Sequence, residues 1–366
     1  MSPKPLQIKY RQWPAWITLR NAEIAGGCVA ALIFVIWIIS WSVADSPWKS
    51  GDPYYIPFPV HSLVPSGDGR YVVVEVDEND PPLPMEKNIG VPISPEQHAA
   101  FTLYIVNTSS GWHRKVGTGA QFVTAAPKGH TFLIGDRRST RQTVMNGLWF
   151  PSHLDVGEYS FRTWDGTGTR IYFEAGWPEH SDGFNVLGIA DVRRGTVQRK
   201  KLREITDVLG TCPATSHVFV QRNAYRANER ADEYDSDGNF LKTNDNRLAI
   251  FSPNCVYALP FSAMSPRGPT NWGVYDARSG ERLAWFELTG PAFAPQRWFA
   301  SWNPKYDDLM LLHEGRSERM EAYDVRQQRV LKSWSDRPSD PPVVWAPNGD
   351  SVMTVRDHHI VFDPVR

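Results

Sequence analysis

The chain has 366 residues, room for two or three average domains or one large β domain, so length alone does not count domains. Its 15 Trp, 13 Tyr and 17 Phe, with 29 Pro and 27 Gly, favour many short strands joined by tight turns and exclude a helical protein. The formal charge is −1; residues 1–23 hold four cations (Lys4, Lys9, Arg11, Arg20) against Glu23, leaving 35 basic and 39 acidic residues beyond, with no basic surplus for nucleic acid.

Residues 1–22 are expected to form a cytoplasmic segment and 23–44 a single transmembrane helix. The run Ile24–Val43 is 20 residues without a charge, which at about 1.5 Å per residue spans roughly 30 Å of hydrocarbon. Trp13 and Trp16 precede it and Trp37, Trp41 and Trp48 lie toward its far end, as indole rings do at the two interfaces. Cations cluster on the N-terminal flank, so the N terminus is cytoplasmic and the rest periplasmic or extracellular. Two alternatives stay open: a signal peptide cut after Ser42-Val43-Ala44, although the stretch is longer than a usual signal core, and a lipoprotein box at Cys28, although no apolar core precedes it. The tail around Trp13 and Trp16 fits the inner lipid interface or a neighbouring membrane subunit.

After a short linker, 45–56, residues 57–366 repeat. Seven times a strand end, a Pro/Gly/Asn/Asp turn and an apolar strand follow one another: VPSGDGRYVVVEV, TAAPKGHTFLIG, TWDGTGTRIYFE, TCPATSHVFVQ, FSPNCVYAL, WNPKYDDLMLL and WAPNGDSVMTV. Pro65, Pro127, Asp165, Pro213, Pro253, Pro304 and Pro347 are taken as equivalent. A second signature, an apolar strand ending in Asp or Asn before a polar turn, follows at Asn107, Asp191, Asp235, Asp276, Asp324 and Asp363, where the side chain can close a corner on backbone N–H groups. The second unit shows no clear copy.

This order of signatures resembles the seven-bladed β-propellers of the WD-repeat and bacterial periplasmic propeller families, although no unit shows the full Gly-His to Trp-Asp pattern. The fold class is therefore all-β, a seven-bladed β-propeller behind one transmembrane α-helix. The resemblance implies that the last unit lacks a fourth strand, which Tyr54–Val60 is expected to supply, closing the ring and removing an open edge. It also sets the corners of Cys212 and Cys255 side by side, open to a disulfide or to two buried thiols.

The chain has no G-x-S-x-G, G-x-x-x-x-G-K-[ST], H-E-x-x-H or C-x-x-C motif. Asp235 and Asp237, in EYDSDGN, resemble the first half of a calcium loop, yet Asn244 stands where the bidentate acid belongs and the same residues serve as a hairpin corner. No other cofactor is evident. His313-Glu314 has no second His in range, His358 and His359 would point to opposite faces if strand-borne, and Asn107-Thr108-Ser109 fits a glycosylation acceptor only in a eukaryotic secretory pathway.

What remains is surface. Long connections between second and third strands carry Trp177, Arg222, Tyr225, Arg226 and Arg230, residue types that anchor interfaces. The expected function is that of a non-enzymatic, membrane-anchored scaffold or accessory subunit of a larger membrane complex, a photosynthetic or respiratory assembly being one setting. Its partners are the lipid bilayer and other subunits, with no nucleic acid. Two alternatives are a hydrolase or lyase in the central pocket, which requires three or more acidic or His side chains around the channel mouth, and an envelope ligand-binding sensor signalling through a partner helix.

Overall fold

The computed structural model describes residues 28–36, 45–78, 101–118, 122–135, 141–149, 151–155, 162–174, 186–202, 205–222, 231–244, 248–260, 271–287, 299–314, 319–335 and 342–366. Contacts divide the chain into residues 1–45 and a compact unit from Ser46 to Arg366. In the first unit residues 28–36 are helical. No helix among the described residues is long and apolar enough to cross a membrane, and Trp13, Trp16, Trp37 and Trp41 lie outside them.

The second unit is a seven-bladed β-propeller. Six antiparallel four-stranded sheets and one of three strands follow in chain order, each a meander. First strands of neighbouring blades contact one another, so they line the axis. Both faces of every sheet are covered, and the central strands therefore read as apolar runs rather than as an alternation. In Tyr71–Asp77 of blade 1, Val72, Val74 and Val76 face blade 7 while Val73 faces blade 2. Seven apolar clusters result, one at each blade junction.

All seven blades turn from first to second strand through the same corner. The N–H of Ser66, Ala126, Asp165, Cys212, Ser252, Asn303 and Ala346 donates back to the carbonyl of the residue that opens the next strand or directly precedes it. The residue after each is Gly67, Pro127, Gly166, Pro213, Pro253, Pro304 or Pro347. Glycines 67 and 166, rather than Pro65 and Asp165, are thus the counterparts of the prolines. A Cβ on Gly67 would strike the Pro127 carbonyl of blade 2, and one on Gly166 the Pro213 carbonyl of blade 4.

The second signature closes corners at five of its six positions. Asn107 accepts from the N–H groups of Ser109 and Ser110, Asp191 from Arg194, Asp235 from Asp237 and Asn239, Asp276 from Arg278 and Ser279, and Asp324 from Gln327. Asp363 lies within the strand His359–Pro364 and takes the Trp334 indole N–H at 3.0 Å and Arg356 instead. Blade 2 does have a corner, at Asn146-Gly147, where Gly147 takes a φ of 59°.

The ring closes more economically than expected. Val60 opens the first strand of blade 1, Val60–Pro65, and the backbone pairing with blade 7 is made by Tyr54–Ile56. Tyr55 pairs with His359, Ile56 N–H donates to His358 O at 2.8 Å and Ile360 N–H to Tyr54 O at 3.0 Å. The histidines are not mid-strand: Asp357 and His358 form the hairpin turn with φ of 49° and 66°. Ile56 is fully buried between blades 1 and 7. Ile56→Ala should lower stability by about 2–5 kcal/mol, the range for deleting a buried aliphatic side chain; a shift below about 1 kcal/mol in urea denaturation would show that the closure carries little of the fold.

Candidate functional site

The polypeptide reaches the propeller through a strap, residues 46–58, laid over blade 1. Pro47 and Pro53 rest on Gly111, in the outer corner of that blade, where φ is +72° and a Cβ would meet both prolines. Trp48 stacks on His113 with ring centroids 3.8 Å apart and packs edge-on to Tyr104 and Phe58. Asp52 Oδ2 lies 2.8 Å from His359 Nε2 of blade 7. Trp48, read from sequence as an interfacial tryptophan, is therefore a packing residue of the propeller, and 45–56 is largely docked chain. Beside the strap, Glu78 accepts from Thr102 at 2.9 Å, from Tyr104, and from Lys115 at 3.0 Å; burial alone would raise its carboxyl, but these donors hold it below the ordinary range.

First-to-second-strand corners and third-to-fourth-strand corners share one end of the blades, and there links join each blade to the next from blade 1 through blade 7. Asp68 N–H donates to Gly129 O at 3.0 Å, and the Trp164 indole N–H to Thr124 Oγ1 at 2.9 Å. Thr211 Oγ1 donates to Trp164 O at 2.5 Å, and Arg170 reaches Asp237 at 2.7 Å. Cys212 and Cys255 are joined as a disulfide with Cα atoms 5.7 Å apart. Trp302 and Trp345 donate their indole N–H groups to Ile250 O and Ser301 O, Asn254 caps on Asp307, and Asn303 Nδ2 donates to Gly349 O at 2.7 Å.

Electrostatics follow these contacts. Burial alone would raise the Glu233 carboxyl, but His217 at 2.7 Å, Asn244 at 3.2 Å and Lys242 at 3.4 Å hold it below the carboxylate range. Asp235 and Asp276 are lowered chiefly by the backbone N–H groups of Asn239 and Ser279. Tyr172, buried beside Asp165, is pushed up to about 12. At the opposite end of blade 1, burial lowers His61 and raises Glu75, and His61 Nε2 has no hydrogen-bond partner.

Asp235 and Asp237 do not converge. Asp235 accepts its own corner's donors while Asp237 pairs with Arg170 of blade 3. Among the described residues no three His, Cys, Asp or Glu side chains gather as a metal site. A groove of about 200 Å³ lies at the junction of blades 7 and 1, lined by Asp68, Tyr71, Thr108, Asn348 and Phe362 among others. Arg222 ends the strand Val218–Arg222, pairing through its backbone with Ile205. Trp177, Tyr225, Arg226 and Arg230 lie outside the described residues. Sequence reasoning missed the strap; its signal was Gly111 opposite two prolines of a segment already assigned as linker.

No protein-family model matches the chain, and no curated protein matches it by sequence. Solved structures do. A chain of Kuenenia stuttgartiensis hydrazine synthase aligns at TM-score 0.53 and 12% identity, over 87% of this chain and 99% of that one. A chain of a mitotic checkpoint complex aligns at 0.51 and 12%, over 87% and 91%. The likeness at this identity is one of fold, and the class it defines is the β-propeller.

Closing a loop of 43 residues by a disulfide stabilises by about 4 kcal/mol in the chain-entropy model. Reduction with dithiothreitol, or Cys212→Ser with Cys255→Ser, should lower the thermal midpoint by several degrees, and an unchanged midpoint would contradict that weight. Acid should destabilise as well. Glu233, Asp235 and Asp276 have depressed folded values, so their contribution is present above about pH 4 and lost as pH falls through those values. Urea midpoints should hold near neutrality and drop below about pH 4, with Glu233→Gln removing part of the drop.

Proposed function

We infer that this propeller is a non-enzymatic scaffold or accessory subunit, tethered to a membrane by residues 23–44 and held on the periplasmic or extracellular side, where it binds other subunits of a membrane complex. One observation carries the reading: the two ends of the ring differ in kind. One end is made of short corners whose capping groups bond within their own corner or to the neighbouring blade. The other receives the long connections, 79–100, 175–185, 223–230 and 261–270, among them those bearing Trp177, Tyr225, Arg226 and Arg230.

Three further points support it. The disulfide suits an oxidising compartment. The apolar run of residues 24–43 has the length of a membrane span. The same fold occurs in a checkpoint complex, an assembly of proteins.

Extraction of the full-length protein in mild detergent followed by native mass measurement should yield a hetero-complex, and Tyr225→Ala with Arg226→Ala should weaken it at least about tenfold, as loss of interface anchors does. A lone monomer with no co-purifying subunit sinks the proposal.

A further inference from the structure

The end of the ring where the strap enters is electrically divided. In the corners of blades 1–3, residues 66–70, 107–112, 126–130, 146–151, 165–169 and 191–195, there are four cations, Arg70, Lys128, Arg193 and Arg194, and three acids, Asp68, Asp165 and Asp191. Of these acids Asp165 is buried, Asp68 is a quarter exposed and engaged with Ser66 and His130, and Asp191 caps its own corner at Arg194. The corners of blades 4–7, residues 212–217, 235–239, 252–256, 276–281, 303–308, 324–328 and 346–350, hold three cations and eight acids. Arg193, Arg194 and Lys128 are exposed, and Arg193 and Lys128 have no carboxylate partner among the described residues.

On the basic side sits an exposed aromatic ring. Trp149, at the outer corner of blade 2, is 55% exposed, and its corner is fixed rather than loose: the Arg114 guanidinium of blade 1 donates to Leu148 O at 3.2 Å and to Trp149 O at 2.9 Å. Blade 1's own outer corner carries the strap at Gly111. A rigid row therefore runs from Pro47 through Trp149 to Arg193 and Arg194 on consecutive blades of one end of the ring.

Chain length decides what that row faces. If residues 24–43 span the bilayer, as the proposed function holds, four peptide steps separate Val43 from Pro47, a reach of at most about 14 Å. On such a leash blade 1's corner stays within about 14 Å of the end of that span, next to the headgroup layer. We propose that the short-corner rim of blades 1–3 rests on the membrane surface, with Trp149 in the interface and Arg193, Arg194 and Lys128 on anionic phospholipid headgroups. Indole rings and cations together are what an interfacial contact selects, and the acidic corners of blades 4–7 tilt away from the same surface. The long connections then project outward to their partners.

The test uses the full-length chain in nanodiscs of phosphatidylcholine with or without phosphatidylglycerol. Hydrogen exchange at residues 147–149 and 192–195 should be slower on the anionic discs, and Arg193→Glu with Arg194→Glu should abolish the difference; each cation at an anionic surface is worth roughly fivefold in local occupancy. Raised salt should do the same. Equal exchange on both discs, with the chain retained in them, overturns the lipid contact and leaves the anchor standing. A chain that fails to enter discs overturns the anchor; co-sedimentation with phosphatidylglycerol vesicles then reads the rim directly, salt-sensitive binding supporting the contact and none overturning it. Protection that appears only with a co-purified protein and is indifferent to lipid charge assigns the rim to an acidic protein surface and overturns the proposal.

Discussion

A blade of four strands buries neither face by itself; it needs a blade on each side, and the only arrangement that supplies every blade with two neighbours is a closed ring. Everything in this propeller rests on that closure, and it is made by very little chain. Three residues, Tyr54–Ile56, meet the edge of blade 7, and one pair of backbone hydrogen bonds flanks the Tyr55–His359 pairing. The energy lies behind them, in the apolar layer where Ile56, Leu63 and Val72 meet Met353 and Ile360. The ladder sets register, and burial supplies the driving force.

Closure alone leaves the blades free to slide against one another, because apolar contact is non-directional. Direction comes from the corners. From blade 1 through blade 7 successive blades share a defined polar or covalent link: a carbonyl at Gly129, an indole N–H from Trp164, Trp302 or Trp345, the Arg170–Asp237 pair, the side chains of Asn254 and Asn303, and a disulfide between blades 4 and 5. Gly67 and Gly166 belong to this system, since the carbonyl of the blade beyond occupies the space a side chain would need. With its corners bonded within and between blades, this end of the ring is stiff, and the opposite end is where long connections are joined to it.

The strap shares in that stiffness. Pro47 on Gly111 and Trp48 on His113 make residues 46–58 part of the propeller and of its stiff end.

By itself the sequence determined the seven units, the order of their two signatures, and the pairing of Cys212 with Cys255 as one of two outcomes, because Pro, Gly and Asp corners follow from local backbone chemistry and recur visibly. Asn107, Asp191, Asp235, Asp276 and Asp324 were legible for that reason. Asp363 was not, since its partner Trp334 lies on blade 6, brought beside it by blade packing. Nor were Gly67 and Gly166 legible as the counterparts of proline, or Trp48 as a packing residue: a glycine's role is set by the atom facing it, and a tryptophan near an apolar run looks the same whether its ring meets lipid or His113. Those assignments needed the tertiary structure, because they depend on which distant residue occupies the neighbouring space, and no local spacing carries that information.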